Sequence, residues 1–317
     1  MALKGKYQQT NGWVKCIQWL GCTFLLSIPA MGSIVLFPQP LTITSLKWIQ
    51  LIQTSSLLLL PPLIMAYLWS PDPIRWLCLE NKNGNEEKGI GKWLLAIGIM
   101  IAALPAINML SYWNQQMDLP AFLAPMEAWM KTKEETAKIL TEQFMSVNTV
   151  GGLVANLLLM AALPALAEEL TFRGVLQRLF QARDERREAR GERQEARGER
   201  KPHLAIWCTA ILFSAIHLQF YGFVPRMLMG ALFGYALAWS GTLWLPILMH
   251  LTNNAMAVVI SYVSIKAGWD METVDSIGTN DTLWLGIVSL LITCIGIYAF
   301  RRSTTMSKAS SRMSSGS

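Results

Sequence analysis

Apolar runs separated by polar turns set the frame of this chain, each near or above the ~20 residues needed to cross ~30 Å of hydrocarbon. They extend from about Trp13 to Phe37, Trp48 to Trp69, Trp93 to Trp113, Val150 to Phe180, Leu204 to Phe220, Phe223 to Trp239, Leu243 to Ile265 and Leu283 to Phe300. The pattern predicts an all-α, polytopic membrane protein with about eight transmembrane helices. The first run follows Lys4 and Lys6 but contains Lys15 and Gln18, runs long and lacks a small-x-small cleavage site, so it is expected to stay as a helix rather than leave as a signal peptide.

Two stretches between the runs have their own character. Within residues 114–149, Met126, Trp129, Met130, Ala137, Leu140 and Phe144 recur at helical spacing and Glu134 stands four before Lys138, predicting an amphipathic helix along the outer membrane interface with that pair closed on its surface. Residues 188–194 and 195–201 are a near-duplicated heptad, EARGERQ then EARGERK, whose mixed charge and near lack of apolar residues predict a solvated arm or loop with no core of its own. The expected organisation is 1–149 for three spans and the interfacial segment, 150–265 for a core with the charged insertion 181–201, and 266–317 for the last span and a polar tail.

Composition agrees with this frame: 52% apolar, 15% charged, a mean hydropathy of +0.33 and 13 tryptophans exclude an ordinary soluble globule. Lys4, Lys6, Arg75, Lys82, Lys88, Lys92, the arginines of 178–200, Arg301, Arg302, Lys308 and Arg312 all fall on one side of an eight-span layout, whereas the loop 266–282 is acidic. Both termini are therefore expected on the cytoplasmic side, and the length of the chain and its lack of targeting signals lead to the expectation of a bacterial inner membrane. These flanks account for much of the net charge of +6, so the expected partner is the lipid bilayer and no nucleic acid is implied. The five cysteines, Cys16, Cys22, Cys78, Cys208 and Cys294, are scattered and show neither zinc nor disulfide spacing.

Three polar clusters lie inside the apolar runs. Glu168 and Glu169 are adjacent, with Arg173 four residues past the second; on a helix Glu169 and Arg173 share a face and neutralise each other, while Glu168 points ~100° away and is left free. Phe213 precedes His217 by four, and His250 precedes Asn253 and Asn254 by three and four. Counted at 1.5 Å per residue from the turns on the predicted cytoplasmic side, Glu168 lies ~18 Å deep, His217 ~21 Å and His250 ~14 Å. The groups are thus expected at similar depth. An isolated histidine or asparagine in a membrane is often only a helix-to-helix hydrogen bond; the coincidence with a free carboxylate is what points to chemistry. His203, beside Pro202 at the basic boundary, has no such company and is expected at the surface. Arg226 has two readings: snorkelling to the outer interface, or reaching inward to anchor a substrate carboxylate.

Glu168, His217 and His250 are candidate ligands of a Zn²⁺ ion with an open position for water. The same groups permit a metal-free route in which Glu168, helped by His217, takes a proton from water while His250 and Asn254 stabilise an oxyanion. Both remain open on these residues.

The clusters resemble the CAAX protease and bacteriocin-processing family of intramembrane proteases, which includes the type II CAAX prenyl endopeptidases. E-E-x-x-x-R appears as Glu168, Glu169 and Arg173, F-x-x-x-H as Phe213 and His217, and H-x-x-x-N as His250 and Asn254, preceded by Gly241, Thr242, Leu243, Trp244, Leu245 and Pro246. Pro225, Arg226, Gly230 and Gly234 also look like this family, the two glycines forming a G-x-x-x-G face for close helix approach. The resemblance covers about 90 residues. It implies an all-helical core with a cavity inside the membrane, Glu168 activating water, His217 assisting, and His250 and Asn254 binding metal or oxyanion. It further implies a catalytic set of Glu168, Glu169, Arg173, His217, His250 and Asn254 and a membrane peptide or protein as substrate. The alternative is a protein of the same fold that acts by binding, as an immunity or scaffold factor.

Overall fold

The structure is a computed structural model that describes residues 3–80, 90–181 and 202–314, with side chains as far as 304. The duplicated heptad, the arginines from 183 to 200, Lys82 and Lys88, and the side chains of Lys308 and Arg312 lie outside the described residues. Every regular element among the described residues is helical. Nine principal helices are labelled here: α1 Gly12–Leu36, α2 Ile43–Trp69, α3 Ile90–Gln115, α4 Ala124–Met145, α5 Val150–Gln181, α6 His203–Ala215, α7 Phe223–Ser240, α8 Trp244–Ala267 and α9 Leu283–Ser314.

Six of them, α1, α2, α3, α5, α8 and the apolar stretch of α9 (Asn280–Thr304), are long and apolar enough to cross a membrane. The chain is a multi-pass membrane protein. The other two runs expected as spans are α6 and α7, of 13 and 18 residues. At 1.5 Å per residue α6 is only ~20 Å long, because the helix expected to reach Phe220 ends at Ala215.

Prolines shape the long helices. Pro61 and Pro62 in α2 follow a π-helical stretch at Ser55–Leu59, and Pro164 in α5 follows another at Leu157–Ala162. Each proline removes an amide donor, and the preceding turn widens to re-pair its carbonyls. A third π-helical stretch, Leu170–Leu176, needs no proline and carries Arg173.

α9 lies along α3, α6 pairs with α7, and α8 packs against α3, α5 and α7. Met65, Trp69, Leu170, Val175, Leu237 and Leu243 form one apolar cluster, and Ala96, Met100, Phe233, Ala236, Met249 and Phe300 another. The G-x-x-x-G face is in use: a Cβ on Gly230 would stand 3.3 Å from the Ala210 Cα, and one on Gly234 2.9 Å from Ile206 Cγ2. Hydrogen at these two positions sets how closely α6 approaches α7.

The amphipathic segment forms α4, a helix with no buried residue. Its expected Glu134–Lys138 pair is replaced. Lys138 instead reaches Glu142 at 3.9 Å, and Glu134 Oε2 accepts the Tyr221 amide at 3.3 Å, because the helix leans on the turn between α6 and α7. The Trp129 ring meets Phe220 there, with centroids 5.5 Å apart.

Candidate active site

Glu169 and Arg173 are 0% and 1% exposed, and Arg173 Nη1 donates to Glu169 Oε1 at 2.8 Å. A guanidinium this deep needs more than one partner. Arg173 Nη2 donates to the Gly230 carbonyl at 2.7 Å, and the guanidinium packs against the rings of Phe213 and Phe233 at 4.7 and 5.4 Å. One turn further on, Gln177 Nε2 donates to the Gly234 carbonyl at 3.2 Å. Arg173 and Gln177 on α5 thus grip successive turns of α7 at the two glycines. Gln177 escapes motif reasoning, although its spacing from Arg173 repeats that of Gly234 from Gly230.

The same Glu169 oxygen organises α8. His250 Nδ1 donates to Glu169 Oε1 at 2.9 Å, and the imidazole stacks on Phe233 with centroids 5.2 Å apart and planes inclined by 21°. His217 is oriented by its own chain: Nδ1 donates to the Phe213 carbonyl at 2.7 Å. In each ring the Nδ1 proton is committed, so Nε2 is the electron-pair donor of the neutral imidazole. Both Nε2 atoms face the same atom, Glu168 Oε2, at 3.9 Å from His217 and 3.8 Å from His250. That oxygen is buried and without a hydrogen-bond partner.

His217 does not sit on the helical face expected of it. α6 stops at Ala215, His217 donates its amide back to Ser214, and Leu218 adopts φ 53°. A leucine in left-handed backbone costs on the order of 1–2 kcal/mol, so the surrounding contacts must hold the turn. Ser214 Oγ donates to the Phe223 carbonyl at 2.7 Å, closing its base.

Asn254 stands one helical turn beyond His250, and its Oδ1 accepts from Asn253 Nδ2 at 3.3 Å. Among the described residues it makes no hydrogen bond to Glu168, His217 or His250. Arg226 is tied to the turn that carries His217: Nη1 and Nη2 donate to the Gln219 carbonyl and Oε1 at 3.1 and 2.7 Å. His203 is exposed, as expected, and its Nδ1 lies 2.6 Å from the Tyr235 hydroxyl.

Two imidazole nitrogens facing one carboxylate oxygen are the arrangement that recruits a proton, a water hydrogen or a cation. In kind the donors suit zinc: two imidazole nitrogens and a carboxylate, with the His250 Nδ1–H held by a second carboxylate that fixes ring and tautomer. In spacing they are wider, and among the described residues no three His, Cys, Asp or Glu side chains stand close enough together to hold a metal ion as placed.

A helical membrane bundle with a half-buried Glu–His–His cluster, backed by a buried Glu–Arg pair, defines the class: a polytopic membrane protein with ionisable groups gathered among its apolar helices. Residues 150–256, the stretch that carries all three motifs, match the Rce1-like family model, type II CAAX prenyl endopeptidase. The match covers about a third of the chain and makes this segment similar to the CAAX protease family. No curated protein and no solved structure matches the chain.

Proposed function

We propose that the protein is an intramembrane endopeptidase that hydrolyses a peptide bond of a membrane-associated peptide or protein. Glu168 is the general base, taking a proton from water as that water attacks the scissile carbonyl. His217 Nε2 assists in moving that proton, which Glu168 passes through His250 Nε2 to the leaving amine as the C–N bond breaks. Glu169 and Arg173 are positioning residues: Glu169 fixes the His250 ring, and Arg173 holds Glu169 while tying α5 to α7. Asn254 is proposed to bind the oxyanion once substrate draws it round from Asn253.

The observation that supports this reading is the unpartnered Glu168 Oε2 within 4 Å of two Nε2 atoms whose Nδ1 protons are already used. A zinc ion would take Glu168, His217 and His250 as ligands in place of their proton-transfer roles, and only if they closed on it from their present spacing; when bound, it would polarise the scissile carbonyl and lower the pKa of water toward ~7. The proposed location is a bacterial inner membrane with both termini cytoplasmic.

The test compares the purified protein with Glu168→Ala in detergent, using a peptide library read by mass spectrometry, with and without a chelator. Cleavage by the parent alone supports the protease, and loss on chelation with recovery on adding zinc supports the metal. If neither folded protein cleaves any peptide, a binding role such as immunity or scaffolding replaces this reading.

A further inference from the structure

The turn 216–222 carries His217 and includes a left-handed leucine, so something outside α6 must fix it. Three elements do so. From α7, Arg226 takes both oxygens of Gln219, two residues beyond His217. From the end of α3, Asn114, buried at 6% exposure, uses its whole amide on the same turn: Nδ2 donates to the Phe220 carbonyl at 3.1 Å, and Oδ1 accepts the Val224 amide at 2.7 Å. From α4, Glu134 accepts the Tyr221 amide and Trp129 covers Phe220. Gly222 fits the same scheme, since a Cβ there would stand 3.1 Å from Arg226 Nη2.

We propose that Arg226 and Asn114 are positioning residues of the active site, holding the 216–222 turn so that His217 Nε2 stays beside Glu168. This rests on the protease reading for its catalytic consequence, and on the hydrogen bonds alone for its structural one. A fork gripping a backbone carbonyl and a side-chain oxygen of one residue restrains that residue's rotation in a way that a single bond does not. His217 follows, because among the described residues the hydrogen bond of its own ring goes only to the Phe213 carbonyl behind it. Arg226 therefore acts through Gln219, and no contact with substrate is required of it.

The test is hydrogen–deuterium exchange of the full-length protein in detergent, following peptides that cover 216–224 in the parent, Arg226→Met, Arg226→Lys and Asn114→Asp. Arg226→Met should speed exchange of these amides about tenfold or more, the usual worth of charge-assisted hydrogen bonds. Exchange in α8 and the melting temperature should stay near the parent's, with Arg226→Lys in between. Asn114→Asp keeps the acceptor for Val224 but loses the donor to Phe220, and should speed the same segment less. Should Asn114→Asp fail to fold, the Arg226 pair carries the test.

In cleavage assays Arg226→Met should lower kcat at least tenfold with KM within about twofold, and Arg226→Lys should recover part of it. Unchanged exchange over 216–224 in Arg226→Met overturns the proposal. So does a fall in kcat without faster exchange, which would put Arg226 in direct action on Glu168 or substrate. Exchange needs no substrate, so a protein that cleaves nothing refutes the protease reading without touching this result.

Discussion

Two adjacent glutamates in one helix should respond in opposite ways to the same substitution. Glu169→Gln removes the charge that offsets Arg173, a guanidinium 1% exposed and bonded at 2.8 Å to the oxygen that also orients His250. Breaking one side of a buried ion pair leaves the other charge uncompensated and costs about 3–5 kcal/mol. Glu168→Gln removes a carboxylate whose Oε2 is buried with no hydrogen bond, so stability should change by less than about 1 kcal/mol or rise. Arg173→Met should cost as much as Glu169→Gln. The double variant should lose much less than the sum of the two, because removing both charges leaves neither one stranded. Thermal melts in detergent read this directly through the 13 tryptophans. The reasoning fails if Glu168→Gln melts as low as Glu169→Gln, or if the double variant shows the full sum. Cleavage should be abolished in Glu168→Gln despite its intact melt.

Three further outcomes follow from the packing. Gly234→Ala places a methyl 2.8 Å from Gln177 Oε1 and 2.9 Å from Ile206 Cγ2, and should cost about 1–3 kcal/mol by pushing α6 off α7, seen as a lower melting temperature. Phe213→Ala removes the ring that touches Arg173, His217 and His250, and should cost about 3–5 kcal/mol together with cleavage; Phe213→Leu should keep more of both. If zinc is held, calorimetric titration of the chelated protein should give one site, weakened at least tenfold by His217→Ala and by His250→Ala but hardly by His203→Ala. Equal affinity in all three would remove the metal from the mechanism.

The apolar runs determined much by themselves. Backbone amides in hydrocarbon must pair within their own segment, so long apolar stretches form helices whatever their neighbours do. This made the all-α membrane class legible, along with the bounds of α5, α7 and α8 to within a few residues. The spacing of Glu169 and Arg173 likewise announced their pairing, because four residues on a helix is a local distance. Glu168, His217 and His250 could be set at similar depth by counting along helices.

Counting could not reveal what depends on neighbouring helices. α6 ends five residues before its apolar run does, because the turn that follows is held by Asn114, Glu134 and Arg226 from three other helices. Glu134 leaves its expected local partner Lys138 for an amide 87 residues away, since α4 lies against that turn. Gln177 takes its meaning only from Gly234, and Arg226 only from Gln219. Hydropathy and helical period report the energy of a segment against solvent or lipid. The direction of a side chain at a helix end, and the partner that satisfies a buried amide, are decided by long-range packing, which tertiary structure alone supplies.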